Sequence, residues 1–129
     1  MSNKTELLSG LLLELRRGTT VLSVLCRLSA PTYGYSLVQD LSENDIPMEA
    51  NTLYPLLRRL EKQGLLKSEW ETSGAKPRKY YMLTELGQEV YQQLRLEWDK
   101  MVTAMNHLME DTPQNSGQTE QQSNISPIK

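Results

Sequence analysis

Residues 52–66 read TLYPLLRRLEKQGLL, and the leucine spacing in that run constrains the chain more than any other feature. Leu53, Leu56, Leu57 and Leu60 recur at i, i+3, i+4 and i+7, the one-sided stripe of an amphipathic helix. Helical winding then puts Asn51, Pro55, Arg58 and Lys62 on the opposite face, with Thr52, Tyr54 and Arg59 on its flanks. The helix is expected to start near Ala50. Glu49 is a poor N-cap there, although its charge suits the positive end of a helix. Pro55 removes one helical hydrogen bond and is expected to bend the exposed first turns. Gly64, just past the last basic residue, ends the helix as a left-handed cap.

The flanking segments say what this helix belongs to. Upstream, residues 5–17 carry a stripe of Leu7, Leu8, Leu11, Leu12 and Leu15, and Gly18 breaks it. Thr19 or Thr20 is expected to cap a second helix with Val21, Leu22, Val24, Leu25 and Leu28 pointing inward. Pro31 and Gly34 mark a turn, and a short helix follows over about 35–42 with Leu37, Val38 and Leu41 for the core. Downstream, residues 65–71 and 78–83 read as two strands. The polar loop Thr72-Ser73-Gly74-Ala75 and the basic tip Lys76-Pro77-Arg78-Lys79 join them. Tyr80 and Tyr81 point to opposite faces of the second strand, so one of them is expected in the core. A helix presenting amide, phenol and guanidinium groups, followed by a basic hairpin, is the layout of a winged helix-turn-helix. Such a unit reads DNA with the helix and grips phosphates with the wing.

Thr84 is placed to cap a long final helix, in which Leu94, Trp98, Met101, Met105 and Leu108 step by 4, 3, 4 and 3 residues. That is a heptad seam, too short to hold a coiled coil alone but sufficient with the N-terminal helix of a partner chain beside it. From Asp111 onward the chain is mostly Gln, Asn, Ser and Pro, the composition of a disordered tail. The expected fold is mainly α with a small β-hairpin. Residues 1–84 form the winged helix with its N-terminal helix, 85–110 the C-terminal dimerisation helix, and 111–129 the tail.

Charge is informative only by segment. Residues 49–80 hold seven lysines and arginines against four acids, a local balance of +3, which leaves −5 for the rest of a chain whose net charge is −2. Such asymmetry points to a local anion-binding surface, although any solvated surface fluctuates by a few charges. The only cysteine, Cys26, excludes an intrachain disulfide and fits a reducing compartment. It lies in an apolar run and is expected to be a buried, inert thiol. No apolar stretch reaches the length of a membrane span, and no secretory leader is visible, so a cytoplasmic protein is expected.

The candidate residues each have a bland reading beside the functional one. Asn51, Thr52, Tyr54, Arg58 and Lys62 can read base edges or phosphates, or be the wet face of a short helix. Asn suits adenine and Arg suits guanine, each good bidentate pair contributing ~1–3 kcal/mol of discrimination. Tyr35 is placed to touch a phosphate, and Tyr33 is expected in the core. Lys76, Arg78 and Lys79 can neutralise phosphates, or keep a hairpin tip soluble. Trp98 is either seam packing or, with Leu94 and the adaptable Met101, the wall of an apolar gap that accepts a ligand. Trp70 on the wing strand is expected to be structural. Lys100 and Arg95 are expected to be solvated. The dimer interface is expected from Leu8, Leu11, Leu12, Leu94, Trp98, Met101, Met105 and Leu108. No ligand set for a metal accompanies the lone His107, and no cofactor fingerprint or catalytic pair is visible, so neither metal, cofactor nor enzyme activity is expected.

Three runs together carry a family resemblance. Tyr33-Gly34-Tyr35, TLYPLLRRLEKQGLL, and Pro77-Arg78-Lys79-Tyr80-Tyr81 leading into Leu83-Thr84-Glu85-Leu86-Gly87 resemble the PadR family of bacterial transcriptional regulators. The resemblance covers about residues 5–110, including the single C-terminal helix of the family's smaller branch. It implies a homodimeric repressor built from its first and last helices, acting on a double-stranded, pseudo-palindromic operator. Trp98 resembles the tryptophan that multidrug-sensing members place in the last helix, where two copies stack on flat aromatic compounds. Many relatives have Gly where this chain has Asn51, and Ser or Asn where it has Glu49, which leaves the base preference of the first helical turn open. Two other readings stand beside this one: a winged helix that binds protein, and a ligand-carrying helical dimer with no role on DNA.

Overall fold

The computed structural model describes residues 3–111; of the tail expected over 111–129, residues 112–129 lie outside the described residues. Five helices and three strands follow in the order α1 (Asn3–Arg17), α2 (Thr20–Arg27), β1 (Thr32–Tyr33), α3 (Gly34–Glu43), α4 (Ala50–Lys62), β2 (Leu66–Glu71), β3 (Arg78–Leu83) and α5 (Glu85–Glu110). The chain divides into two compact units, one through Gln93 and one from Leu94. The boundary expected at 84/85 marks the start of α5, whereas the division falls inside that helix.

The first unit has its core under α4. Leu53 and Leu57 are fully buried, and Leu56 and Leu60 nearly so, against Val24, Leu25 and Leu28 from the α2 segment and Leu37 and Leu41 from α3. Each such side chain contributes about 1.5–3 kcal/mol of apolar burial. Leu66, Tyr81 and Leu83 close the core from the sheet. Of the tyrosine pair, Tyr81 is therefore the core member. Val21, Leu22 and Val38, expected inward, are half-buried at the margin.

Helix ends follow local chemistry. Gly64 adopts φ +84°, and the Gly64 and Leu65 amides donate to the Glu61 and Leu60 carbonyls, closing α4 with a Schellman turn. Thr84 caps α5: its hydroxyl accepts from the Gly87 amide at 3.0 Å and donates to the Gly64 carbonyl at 2.6 Å. The end of α4 and the start of α5 are thus pinned together. Gly87 is required there, because a Cβ would stand 2.0 Å from the Leu65 carbonyl oxygen. Thr19 and Thr20 depart from expectation. Their hydroxyls donate back to the Arg16 and Arg17 carbonyls, finishing α1 rather than starting α2.

The sheet is antiparallel with strand order β1-β3-β2. β1 was not expected, because a two-residue strand carries no periodicity to read. Three further expectations are corrected. Cys26 is exposed: in the eight-residue α2 the inward positions are Val24 and Leu25, and Cys26 and Arg27 turn outward. Arg27 there makes a two-pronged ion pair with Asp40 of α3, both contacts at 2.7 Å. Tyr33 is only half-buried and lies among other rings instead of in the core. Trp70 is 61% exposed on β2, two residues beyond the last strand position that α4 engages through a side chain.

Candidate nucleic-acid interface

α4 separates its two faces cleanly. The leucines are inside, while Asn51, Thr52, Pro55, Arg58, Arg59 and Lys62 are exposed. Tyr54 is the exception, being half-buried. Its ring lies across Gly34 at the start of α3, so close that a Cβ on Gly34 would meet the ring carbon Cε1 at 2.7 Å. The glycine between Tyr33 and Tyr35 is therefore a seat for Tyr54, and it ties α3 to α4 at the N-terminal end of the latter. Tyr54, expected among the base-reading groups, has its ring committed to this packing.

The register of the wing decides which cation faces where. Leu66, Ser68 and Trp70 share one face of the hairpin with their partners Leu83, Tyr81 and Lys79. Ser68 donates to the Glu61 carboxylate at 2.7 Å, so this face looks toward α4. Lys79 lies on it with its ammonium 5.7 Å from the Trp70 ring centre and 5.6 Å from that of Tyr81. Burial pushes the Tyr81 hydroxyl pKa up, with Glu61 adding to the shift and Arg58 opposing it. Of the wing cations, Lys79 is thus the one held beside the Tyr81 ring. Trp70 is the cross-strand partner of Lys79 and is exposed beside it.

Arg78 takes the other face, directly opposite Glu71. Its guanidinium carbon stands 4.4 Å over the Tyr33 ring, and Nη1 donates to the Tyr35 hydroxyl at 3.3 Å. That hydrogen bond, reinforced by its neighbours, raises the Arg78 pKa and keeps the group charged at any working pH. Tyr80 shares this face and donates to Glu69 at 3.0 Å. Lys76 at the loop is exposed, beside Gly74, around which space is open. The arrangement brings Tyr35 and Arg78 together, places Lys79 between the Trp70 and Tyr81 rings, and leaves Asn51, Thr52, Arg58 and Lys62 exposed along α4. The Tyr33–Arg78 seat was not legible, because the two residues are far apart in sequence and meet only through the β1–β3 pairing.

α1 and the second unit present a different surface. In α1, Leu8 and Leu11 are exposed, Leu12 is half-buried, and no residue of the helix is fully buried. In α5 from Leu94 onward, Trp98 is 40% exposed, Met101 59%, Met105 49% and Leu108 66%. Lys100 sits 3.5 Å from Glu97, a solvated pair, as expected of that face. No helix among the described residues is long and apolar enough to cross a membrane.

The profile of the "Transcriptional regulator PadR-like family" matches residues 21–93. The crystal structure of a PadR family transcriptional regulator from Eggerthella lenta is 49% identical, with a TM-score of 0.79, and the match covers 84% of this chain and 97% of that one. A PadR-like transcription factor structure from Bacteroides fragilis is 33% identical, with a TM-score of 0.64, over 77% of this chain and 98% of that one. A transcriptional regulator of Mycobacterium tuberculosis is 40% identical over 55 residues, 43% of this chain and 51% of that one. These relatives are regulators rather than enzymes.

Proposed function

The chain belongs to the PadR-like family of transcriptional regulators, and from that premise we propose that it is a homodimeric repressor that binds a pseudo-palindromic operator and is released by a small aromatic ligand. Asn51, Thr52, Arg58 and Lys62 of α4 meet the major groove, with Tyr54 flanking them. Tyr35, Lys76, Arg78 and Lys79 meet the phosphates on either side. The observation that carries this reading is the two-faced α4: every leucine of its stripe is buried while its amide, hydroxyl and cationic groups stay exposed beside a basic wing. Solvent exposure of that face is what a groove-reading helix requires.

The dimer reading is supported by the apolar side chains left in water on α1 and on α5. Leu8, Leu11 and Leu12 would meet Leu94, Trp98, Met101, Met105 and Leu108 of the partner. Between the two copies of Trp98, flanked by Leu94 and Met101, a planar aromatic compound would stack, offset ring contacts adding ~0.5–1.5 kcal/mol beyond area burial. Such a ligand need only prefer a helix spacing that misfits the operator to act as an inducer.

The test is binding to the DNA upstream of the protein's own gene, followed by footprinting. The expected result is a protected pseudo-palindrome with half-site centres about one helical turn, ~10 bp, apart, bound by one dimer. Retention that is equal on unrelated duplexes at every salt concentration, or a stable monomer in sedimentation, would overturn the reading.

A further inference from the structure

Two tyrosines of the Tyr33-Gly34-Tyr35 run and one arginine of the wing meet where α3 begins, and they are more ordered than a simple counter-charge for DNA requires. The Tyr33 and Tyr35 rings lie parallel, 5.7 Å between centres and 7° between planes. Tyr80 closes on Tyr33 edge-to-face at 6.0 Å and 84°. Tyr33 is held from the backbone as well, since it pairs with Tyr80 in the β1–β3 ladder. Above this stack sits the Arg78 guanidinium, 4.4 Å over the Tyr33 ring, with one N–H on the Tyr35 hydroxyl oxygen at 3.3 Å.

The donor pattern has a direction. Arg78 donates to the Tyr35 oxygen, so the Tyr35 hydroxyl hydrogen is left to donate elsewhere. Arg78 is exposed, and a guanidinium has five N–H groups, so most of its donors remain for an anion. An O–H and a guanidinium fork converging from one spot match the oxygens of a single phosphate. A planar cation held over a ring also loses less freedom on meeting that phosphate than a mobile wing-tip side chain does.

We propose that Tyr33 is a positioning residue: its ring, fixed by Tyr35 and Tyr80, seats Arg78 so that Arg78 and the Tyr35 hydroxyl together grip one backbone phosphate of DNA. Tyr33 itself touches no nucleotide. The inference rests on the DNA-binding reading above and adds that the wing is pre-set against α3 before DNA arrives. Arginine is specified at position 78 by shape as much as by charge, because lysine cannot lie flat on a ring and offer a fork at the same time.

The experiment uses the full chain and a fluorescent duplex from the region upstream of its gene, with affinity measured across a salt series. Tyr33→Leu should weaken binding about two- to fivefold, the scale of an exposed cation–ring contact, with the salt slope unchanged because no charge is lost. Tyr33→Phe should restore wild-type affinity. Arg78→Lys should weaken binding about as much as Tyr33→Leu while keeping the slope. In an Arg78→Ala background, Tyr33→Leu should cost nothing more. Additive losses, a phenylalanine variant as weak as the leucine one, or a neutral Arg78→Lys would each overturn the proposal while leaving DNA binding in place. If Tyr33→Leu does not fold, the pair of Tyr33→Phe and Arg78→Lys decides: neutral and weakened supports it, any other pattern sinks it. A wild-type chain that retains no duplex removes the DNA reading and this inference with it.

Discussion

α4 and the second half of α5 are written in the same language and end in opposite environments. Both carry an apolar stripe at helical spacing. In α4 the stripe is Leu53, Leu56, Leu57 and Leu60, none more than 8% exposed. In α5 it is Trp98, Met101, Met105 and Leu108, none less than 40% exposed. The first stripe is covered by this chain's own α2, α3 and β2. The second is not covered within its own unit, and α1 shares its condition. Apolar periodicity therefore states that a face wants cover and is silent on who supplies it. In the proposed function the missing cover is a second copy of the same chain.

The contrast is broken most directly by cutting into the covered stripe. Leu57→Ala should cost about 2–5 kcal/mol through lost burial and a residual cavity, seen as a lower denaturant midpoint. A loss under 1 kcal/mol would mean α4 is not the centre of the core. The uncovered stripe should behave differently. Met101→Asp with Leu108→Asp should leave the first unit's fold intact by circular dichroism yet convert a micromolar dimer into monomer in sedimentation; an unchanged dimer would place the interface elsewhere. Next in size is the ligand effect. Trp98→Ala should abolish quenching of tryptophan emission by planar aromatic compounds while DNA affinity stays within a few-fold, with Trp70 remaining as the reporter indole. If quenching persists, the compound binds near Trp70 and not at the α5 seam.

Smaller effects sharpen the picture of the wet face of α4 and the wing. Lys76→Ala should weaken binding to all duplexes alike and lower the salt slope by about one unit, whereas Asn51→Ala should chiefly reduce the preference for operator over unrelated DNA. The smallest effect concerns Arg27 and Asp40. The Arg27 hydrogen bonds hold the Asp40 carboxyl below its ordinary pKa. A depressed carboxylate pKa gives stability that is present above the unfolded value, about 4, and lost as pH falls through the folded value. The melting temperature of Asp40→Asn should therefore lie slightly below wild type at neutral pH and converge with it in acid. A gap that persists in acid would make the change one of packing or of the Asn44 contact to Asp40, not of charge.

Much of the candidate interface was legible because it obeys local rules. The Gly64 stop, the Thr84 cap and the split of α4 into leucine and polar faces all follow from residues within one or two turns of each other. Tyr33, Trp70 and Cys26 were not legible for a shared reason. Aromatic or thiol character gives a prior for burial, but whether a given position faces in depends on the register of its element against neighbours from elsewhere in the chain. Trp70 faces the α4 side of the wing but lies where Lys79 and solvent meet it. Tyr33 was drawn into a strand too short to announce itself.

By itself, then, the sequence determined every element but the two-residue β1, the order of those elements, the buried leucines of α4 and the segregation of cations to one helix face and one hairpin, because spacing and capping act over a few residues. Only the tertiary structure decided that Gly34 exists to seat Tyr54, that Gly87 must clear the Leu65 carbonyl, and that Arg78 rests on Tyr33 while Lys79 turns toward α4. Those outcomes depend on contacts between residues distant along the chain, where a shift of one residue in strand register would exchange the two faces of the wing.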